Sequence, residues 1–296
     1  MRVANVNPRD NAAVSALGIG AAIVASVLFN VGVALQALDA REAPLEEGLR
    51  LSLLRRLVRR PRWLVGLALG ILGFPFEALA FAWAPFVIVQ PALAAGLLLL
   101  LALGVQTLGE RVGVPALLGV VALIGGIALI AWGAPSHTEA HRGTIPVLAV
   151  MALLALPAAA PFALRGTHYD RGLLVTVASG CGFAASNVAT KLMSDNVNVG
   201  HYMNAVLWAA ATAVTGVLAV VTEMTALQRL AATTVVPLSF GVQTFLPVLL
   251  EPVFLREHWS SSPFDGAPIA AGLLVVLVGS VLVSRTRAVS TLAAGG

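Results

Sequence analysis

The sequence predicts an all-α integral membrane protein of nine transmembrane helices, built as an inverted repeat of four plus four helices with one linking helix. Three observations carry that prediction. Hydrophobic residues make up 58% of the 296-residue chain and charged residues 11%, against about 25% charged in a soluble domain, and mean hydropathy is +0.91. The apolar residues fall into nine runs, each close to the roughly 20 residues a membrane crossing needs. One long stretch also comes back: residues 76–133 return as 222–285. Glu77 precedes Pro91 by 14 residues, and Glu223 precedes Pro237 by 14. Leu108-Gly109-Glu110-Arg111 is answered by Leu255-Arg256-Glu257-His258, and the 7-residue spacing of Gly119 and Gly126 by that of Gly272 and Gly279. A fixed internal repeat in an apolar chain marks a transporter built from two halves.

Taken in order, the first span is 13–36. It follows a polar tail and is too long for the apolar region of a cleavable signal peptide. Spans two and three, 63–83 and 86–108, are parted only by Ala84-Pro85. The combined run of about 46 residues is far too long for one crossing, and the proline marks the turn. Spans four to nine are 115–132, 146–164, 172–193, 203–225, 231–255 and 267–284. Gly66, Gly70, Gly73, Gly125, Gly126, Gly180 and Gly182 are small residues that let helix backbones approach. The tail from 291 to 296 is small and expected to fray.

The one long polar loop, 39–62, holds Arg41, Arg50, Arg55, Arg56, Arg59, Arg60 and Arg62 among leucines. It reads as a basic amphipathic helix on the membrane surface, touching anionic lipid headgroups. Basic loops lie on the cytoplasmic side, which puts the N-terminus outside and the C-terminus in the cytoplasm of a plasma-membrane protein. Alternating crossings then leave 13 of the 18 basic residues inside and 5 outside. That bias accounts for the net charge of +4 without a nucleic-acid partner. Span one joins the repeat, since Phe29-Asn30-Val31 is answered by Ser186-Asn187-Val188. The first repeat is therefore 1–133, the linking segment 134–171 and the second repeat 172–296. One extra helix between two four-helix units inverts the second, and sites in such architectures lie near the midplane.

An ionisable group inside the bilayer costs about 2.5–3.5 kcal/mol on insertion scales, so each needs a reason. Glu77 is the leading candidate for substrate, proton or metal binding, with Gln90 and Asn187 at similar depth. The repeat relates these to an inner set of Asn30, Glu223 and Val236-Pro237, with Thr233 and Thr234 supplying oxygens; Gln243 is a further polar candidate. Two polar layers are expected, one on each side of the midplane. Glu223 lies nearer the end of its span, where snorkelling to the interface accounts for it equally well. Pro91 and Pro237 break helix hydrogen bonding and are candidate hinges. Lys191 and Glu251 read as interfacial, and Glu110 and Glu257 as boundary pairs. The single Cys181 excludes an intrachain disulfide. His137, Glu139, His141, His168, His201 and His258 lie in loops without metal-site spacing. No nucleophile motif, phosphate loop or cofactor motif is present, so no enzyme is expected.

The basic loop after span one, Phe76-Glu77-Ala78 ahead of Ala82-Trp83-Ala84-Pro85, Val89-Gln90-Pro91 and Gly109-Glu110-Arg111 carry a resemblance. So do Val236-Pro237 and Leu255-Arg256-Glu257-His258-Trp259 in the second half. The layout resembles the drug/metabolite transporter (EamA-like) superfamily, and most of all the NIPA-type magnesium transporters. The resemblance implies a nine-helix carrier and transport of a small solute or a divalent cation, with Mg²⁺ or H⁺ as the transported or coupling ion. A homodimer is compatible with it. The expectation from another class is a non-transporting scaffold that works through the Arg-rich loop.

Overall fold

The computed structural model describes residues 8–84, 86–134, 143–164, 172–254 and 262–285. Among them there is no strand, and nine helices are long and apolar enough to cross a membrane. The helices are α1 (Pro8–Arg41), α2 (Leu51–Leu57), α3 (Pro61–Trp83), α4 (Phe86–Gln106), α5 (Val114–Gly133), α6 (Thr144–Ala163), α7 (Gly172–Asn198), α8 (Tyr202–Leu227), α9 (Ala232–Phe254) and α10 (Ala267–Ser284). All but α2 correspond to the nine expected spans. Large apolar side chains such as Ile23, Ile71, Leu72, Leu118 and Leu274 face outward. In a bilayer this costs nothing, because lipid is as apolar as the core.

Several boundaries differ from the sequence expectation. Helix α1 runs on to Arg41, past the end of its apolar run. The extension brings the Asp39 carboxylate to the start of α3, where it accepts the Trp63 N–H at 2.8 Å. Helix α7 extends to Asn198, and Asp195 in that extension lies 3.6 Å from Lys191, one turn back. Pro85, His137, Glu139, His141, His168, residues 255–259 and the 291–296 tail lie outside the described residues, as does the side chain of Glu251.

The larger correction concerns loop 39–62. Its helix is seven residues long and does not lie free on a membrane surface. Leu49, Leu53 and Leu57 are buried with Ala37 and Ala40 of α1, Trp63 of α3, and Met224 and Leu227 of α8. The apolar face that would enter lipid instead closes the end of the bundle. The Leu49 N–H donates to Thr225 Oγ1 at 2.9 Å, and Trp63 Nε1–H to Met224 Sδ at 3.4 Å. Exposed arginines remain on the outer side of this cover, including Arg50, Arg55 and Arg59. Arg56 pairs with Glu47, and Arg60 with Glu42 and Asp39.

Helix contacts follow the sequence repeat. Helix α1 packs on α3 and α4, as α7 packs on α8 and α9; α4 packs on α5, as α9 packs on α10. Helix α6 packs on α7, α8 and α9, through Val147, Val150 and Leu154 against Ala184, Ala185 and Val188. Helices α5 and α10 cross at glycines. A Cβ on Gly119 would lie 2.8 Å from the Gly279 carbonyl, and one on Gly126 would lie 2.8 Å from that of Gly272. The order of these pairs makes α5 and α10 antiparallel. The sequence repeat equates Gly119 with Gly272 and Gly126 with Gly279, so each contact maps onto the other, the behaviour of a twofold relation. Of the other expected packing glycines, Gly66, Gly73, Gly180 and Gly182 meet neighbouring helices closely, whereas Gly70 and Gly125 face open space.

Candidate functional site

A cavity of about 510 Å³ lies between the two helix sets. Helix α1 contributes Phe29, Asn30 and Val33; α3 contributes Phe74 and Glu77; α4 contributes Gln90, Leu93 and Leu97. Ile127, Ile130 and Ala131 come from α5, Phe183 and Asn187 from α7, and Glu223 from α8. One face of α9, from Val236 to Val248, completes the wall with Ser239, Phe240, Gln243 and Thr244. Five expected site residues, Glu77, Gln90, Asn187, Asn30 and Glu223, thus meet in one cavity. The sequence reading had them in two separate layers.

Local structure explains the difference. Every residue of α8 from Val221 to Leu227 is buried, because α2 and its leucines cover that end. Glu223 therefore has no interface to snorkel to, is only 7% exposed and faces inward. Asn30 donates its amide to the Ser26 carbonyl at 2.8 Å, and the Ser26 hydroxyl donates to the Leu93 carbonyl at 2.8 Å. The second bond ties α1 to α4 beside the cavity, and the first holds Asn30 within α1. Gly96 makes room for them, since a Cβ there would lie 1.9 Å from Ser26 Oγ.

Other expectations need correction. Thr234 does not line the cavity; it is buried in the first turn of α9. Pro91 and Pro237 do not line it either, although each adjoins a residue that does, Gln90 and Val236. Helices α4 and α9 stay helical through both prolines. Among the described residues no group of three or more His, Cys, Asp or Glu stands ready for a metal, so Glu77 is not part of a multi-carboxylate metal cluster there.

Sequence reasoning missed two features. The first is the aromatic content: Phe29, Phe74, Phe183 and Phe240 each line the cavity within about one turn of a polar lining residue on the same helix. The rings of Phe29 and Phe74 meet edge-on, with centroids 5.4 Å apart. On α9 the signal was available as a stripe, Ser239, Phe240, Gln243 and Thr244, at helical spacing.

The second is Glu110. Its side chain is 1% exposed and joins both halves. It pairs with Arg41 at the end of α1 and accepts the N–H groups of Ala232 at 2.6 Å and Thr233 at 2.9 Å, together with the Thr233 hydroxyl at 2.5 Å. Those N–H groups open α9, so the carboxylate caps a helix of the other repeat and complements its dipole. Arg41 also donates to the Leu108 carbonyl at 3.2 Å. Gly109 makes this arrangement possible. At φ 65° it turns the chain just past α4 in a region that favours glycine. What had read as a boundary pair is a clamp between halves.

Clamp and cavity lie toward opposite ends of the bundle. The clamp gathers the last turn of α1, the segment after α4 and the first turn of α9. The cavity is lined by the C-terminal halves of α3 and α5 and the N-terminal half of α4. Glu223 marks its floor.

Among the described residues, neither Glu77 nor Glu223 has a hydrogen-bond or ion-pair partner, and no Lys, Arg or His lines the cavity. The site therefore presents two uncompensated carboxylates, amide and hydroxyl groups, and an otherwise apolar wall. Comparison with family models, curated proteins and solved structures finds no match to the chain.

Proposed function

We propose that the chain is a secondary transporter that moves a small solute by alternating access, with the two-repeat architecture of the drug/metabolite transporters that its sequence resembles. The observation that carries this reading is the cavity between the repeats, with two carboxylates that have no partner among the described residues and a clamp across the opposite end. A buried charge is costly in lipid and typically belongs to a transport path. In this reading Glu77 is the coupling or cargo-binding group, and Asn30, Gln90, Asn187 and Glu223 line the path. The prolines at 91 and 237 serve as hinges. Opening the Arg41–Glu110 clamp while the far end closes would expose the cavity to the other side. The arginine-covered end faces the cytoplasm of the plasma membrane.

A second reading, Mg²⁺ transport, draws on the repeat-related pairs Glu77 with Glu223 and Asn30 with Asn187, whose oxygens suit a largely hydrated ion. The scaffold reading loses support, because the apolar face of α2 is spent inside the protein. Purified protein in liposomes tests the proposal. Glu77→Gln should insert normally and lose solute flux. Unchanged flux in that variant, with loss on replacing Arg55 and Arg56, would instead favour the surface function.

A further inference from the structure

We infer that the cavity takes an organic cation, a protonated or quaternary amine carrying an apolar or aromatic body, rather than a hydrated metal ion or an anion. The inference rests on the transporter reading and names its cargo class. The sign of the cargo follows from charge. Glu77 and Glu223 both face the cavity, and among the described residues neither has a partner and no basic side chain lines the wall. An anion would meet two carboxylates and no counter-charge. A cation offsets what a bare carboxylate costs at this depth.

The body of the cargo follows from the wall. Apolar residues make up most of the lining, and Phe29, Phe74, Phe183 and Phe240 enter it from four different helices. Aromatic faces attract organic cations and apolar groups alike. A hydrated Mg²⁺ ion presents water on all sides and needs polar partners around it, which this wall supplies on only part of its surface. The volume of about 510 Å³ lies in the range of cavities that hold small organic ligands. On α3, Phe74 and Glu77 lie one turn apart and both line the cavity, so ring and carboxylate are placed to act on one ammonium group.

Titration of purified full-length protein tests this, using a panel of tetraethylammonium, benzyltrimethylammonium and phenethylammonium. Benzyl alcohol and MgCl₂ serve as comparators, with thermal shift and calorimetry as readouts. At least one ammonium ion should bind and raise the unfolding temperature, while benzyl alcohol binds far more weakly. Glu77→Gln and Glu223→Gln should each weaken binding about ten- to hundredfold, the effect of losing a charge-assisted contact. Phe183→Leu, which keeps both acids, should weaken it by a smaller factor and guards against a folding defect in the acid variants. No response to any member of the panel overturns the inference. So does a response to MgCl₂ alone that depends on Glu77, or equal binding of benzyl alcohol. Ammonium binding that depends on Glu77 without flux in liposomes would keep the cargo class and remove the transporter reading. Flux of a neutral or anionic solute would do the reverse.

Discussion

Gly96 has no room for a methyl group. An alanine Cβ there would lie 1.9 Å from Ser26 Oγ and 2.4 Å from Asn30 Nδ2, so Gly96→Ala must displace the hydroxyl that ties α1 to α4. Overpacking of this kind costs about 1–3 kcal/mol, read as a lower unfolding temperature in detergent. Ser26→Ala in the same chain should recover part of the loss, because the clashing oxygen is gone; a Gly96→Ala protein as stable as the parent would contradict the geometry. The two acids illustrate what single residues revealed beforehand. Glu77 was recognisable because nothing in its apolar run explained a charge. Glu223 was ambiguous, because burial of the end of α8 depends on leucines about 170 residues earlier in the chain, and no local pattern reports that. Thr234 was misplaced for a related reason: proximity to Pro237 in sequence did not decide which face of α9 it shares.

At the scale of elements, the cover formed by α2 and the cap on α9 are both made by segments distant in sequence. Leu53 is fully buried, so Leu53→Asp should detach α2 and let trypsin cleave after Arg55 and Arg56 well before the rest of the protein. Equal cleavage in parent and variant would mean that the cover is not held by this contact. A salt link supports it from outside. Hydrogen bonding to Arg56 holds the Glu47 carboxyl below its ordinary range. A depressed acid stabilises the fold above its unfolded value and loses that contribution as pH falls through the folded value. Amide protection in the 45–57 segment, with the intrinsic exchange rate divided out, should therefore fall on acidification below the ordinary glutamate range, and the Glu47→Gln variant should lack that step. Glu110 matters more. Glu110→Ala strands Arg41 and two N–H groups at the start of α9, a loss of about 3 kcal/mol, measurable by unfolding. Glu110→Gln, which keeps one acceptor, should cost less. Span number and order were legible from hydropathy, since lipid imposes length and polarity on each helix. The cap was not, because Glu-Arg at a span end looks the same whether it faces water or another helix.

The whole molecule is a cavity between two helix sets, joined at one end by the clamp and along one side by α5 and α10. If the clamp end is shut, a cysteine at Val248, in a chain whose Cys181 is replaced by alanine, should react with a membrane-impermeant thiol reagent only from the side where α3 and α5 end. Reaction from both sides would show an open pore. The repeat of Glu77–Pro91 as Glu223–Pro237 announced that the halves would be related; which residues touch across them required three dimensions. The crossing of α5 and α10 is a case in point. Its backbones meet at four glycines, with Leu123, Ile130, Val276 and Val283 packed beside them. Such a joint resists sliding but tolerates a small rotation, like the pin of a pair of shears. In the proposed transport cycle these glycines would then stay nearly still while the acids on α3 and α8 move about them.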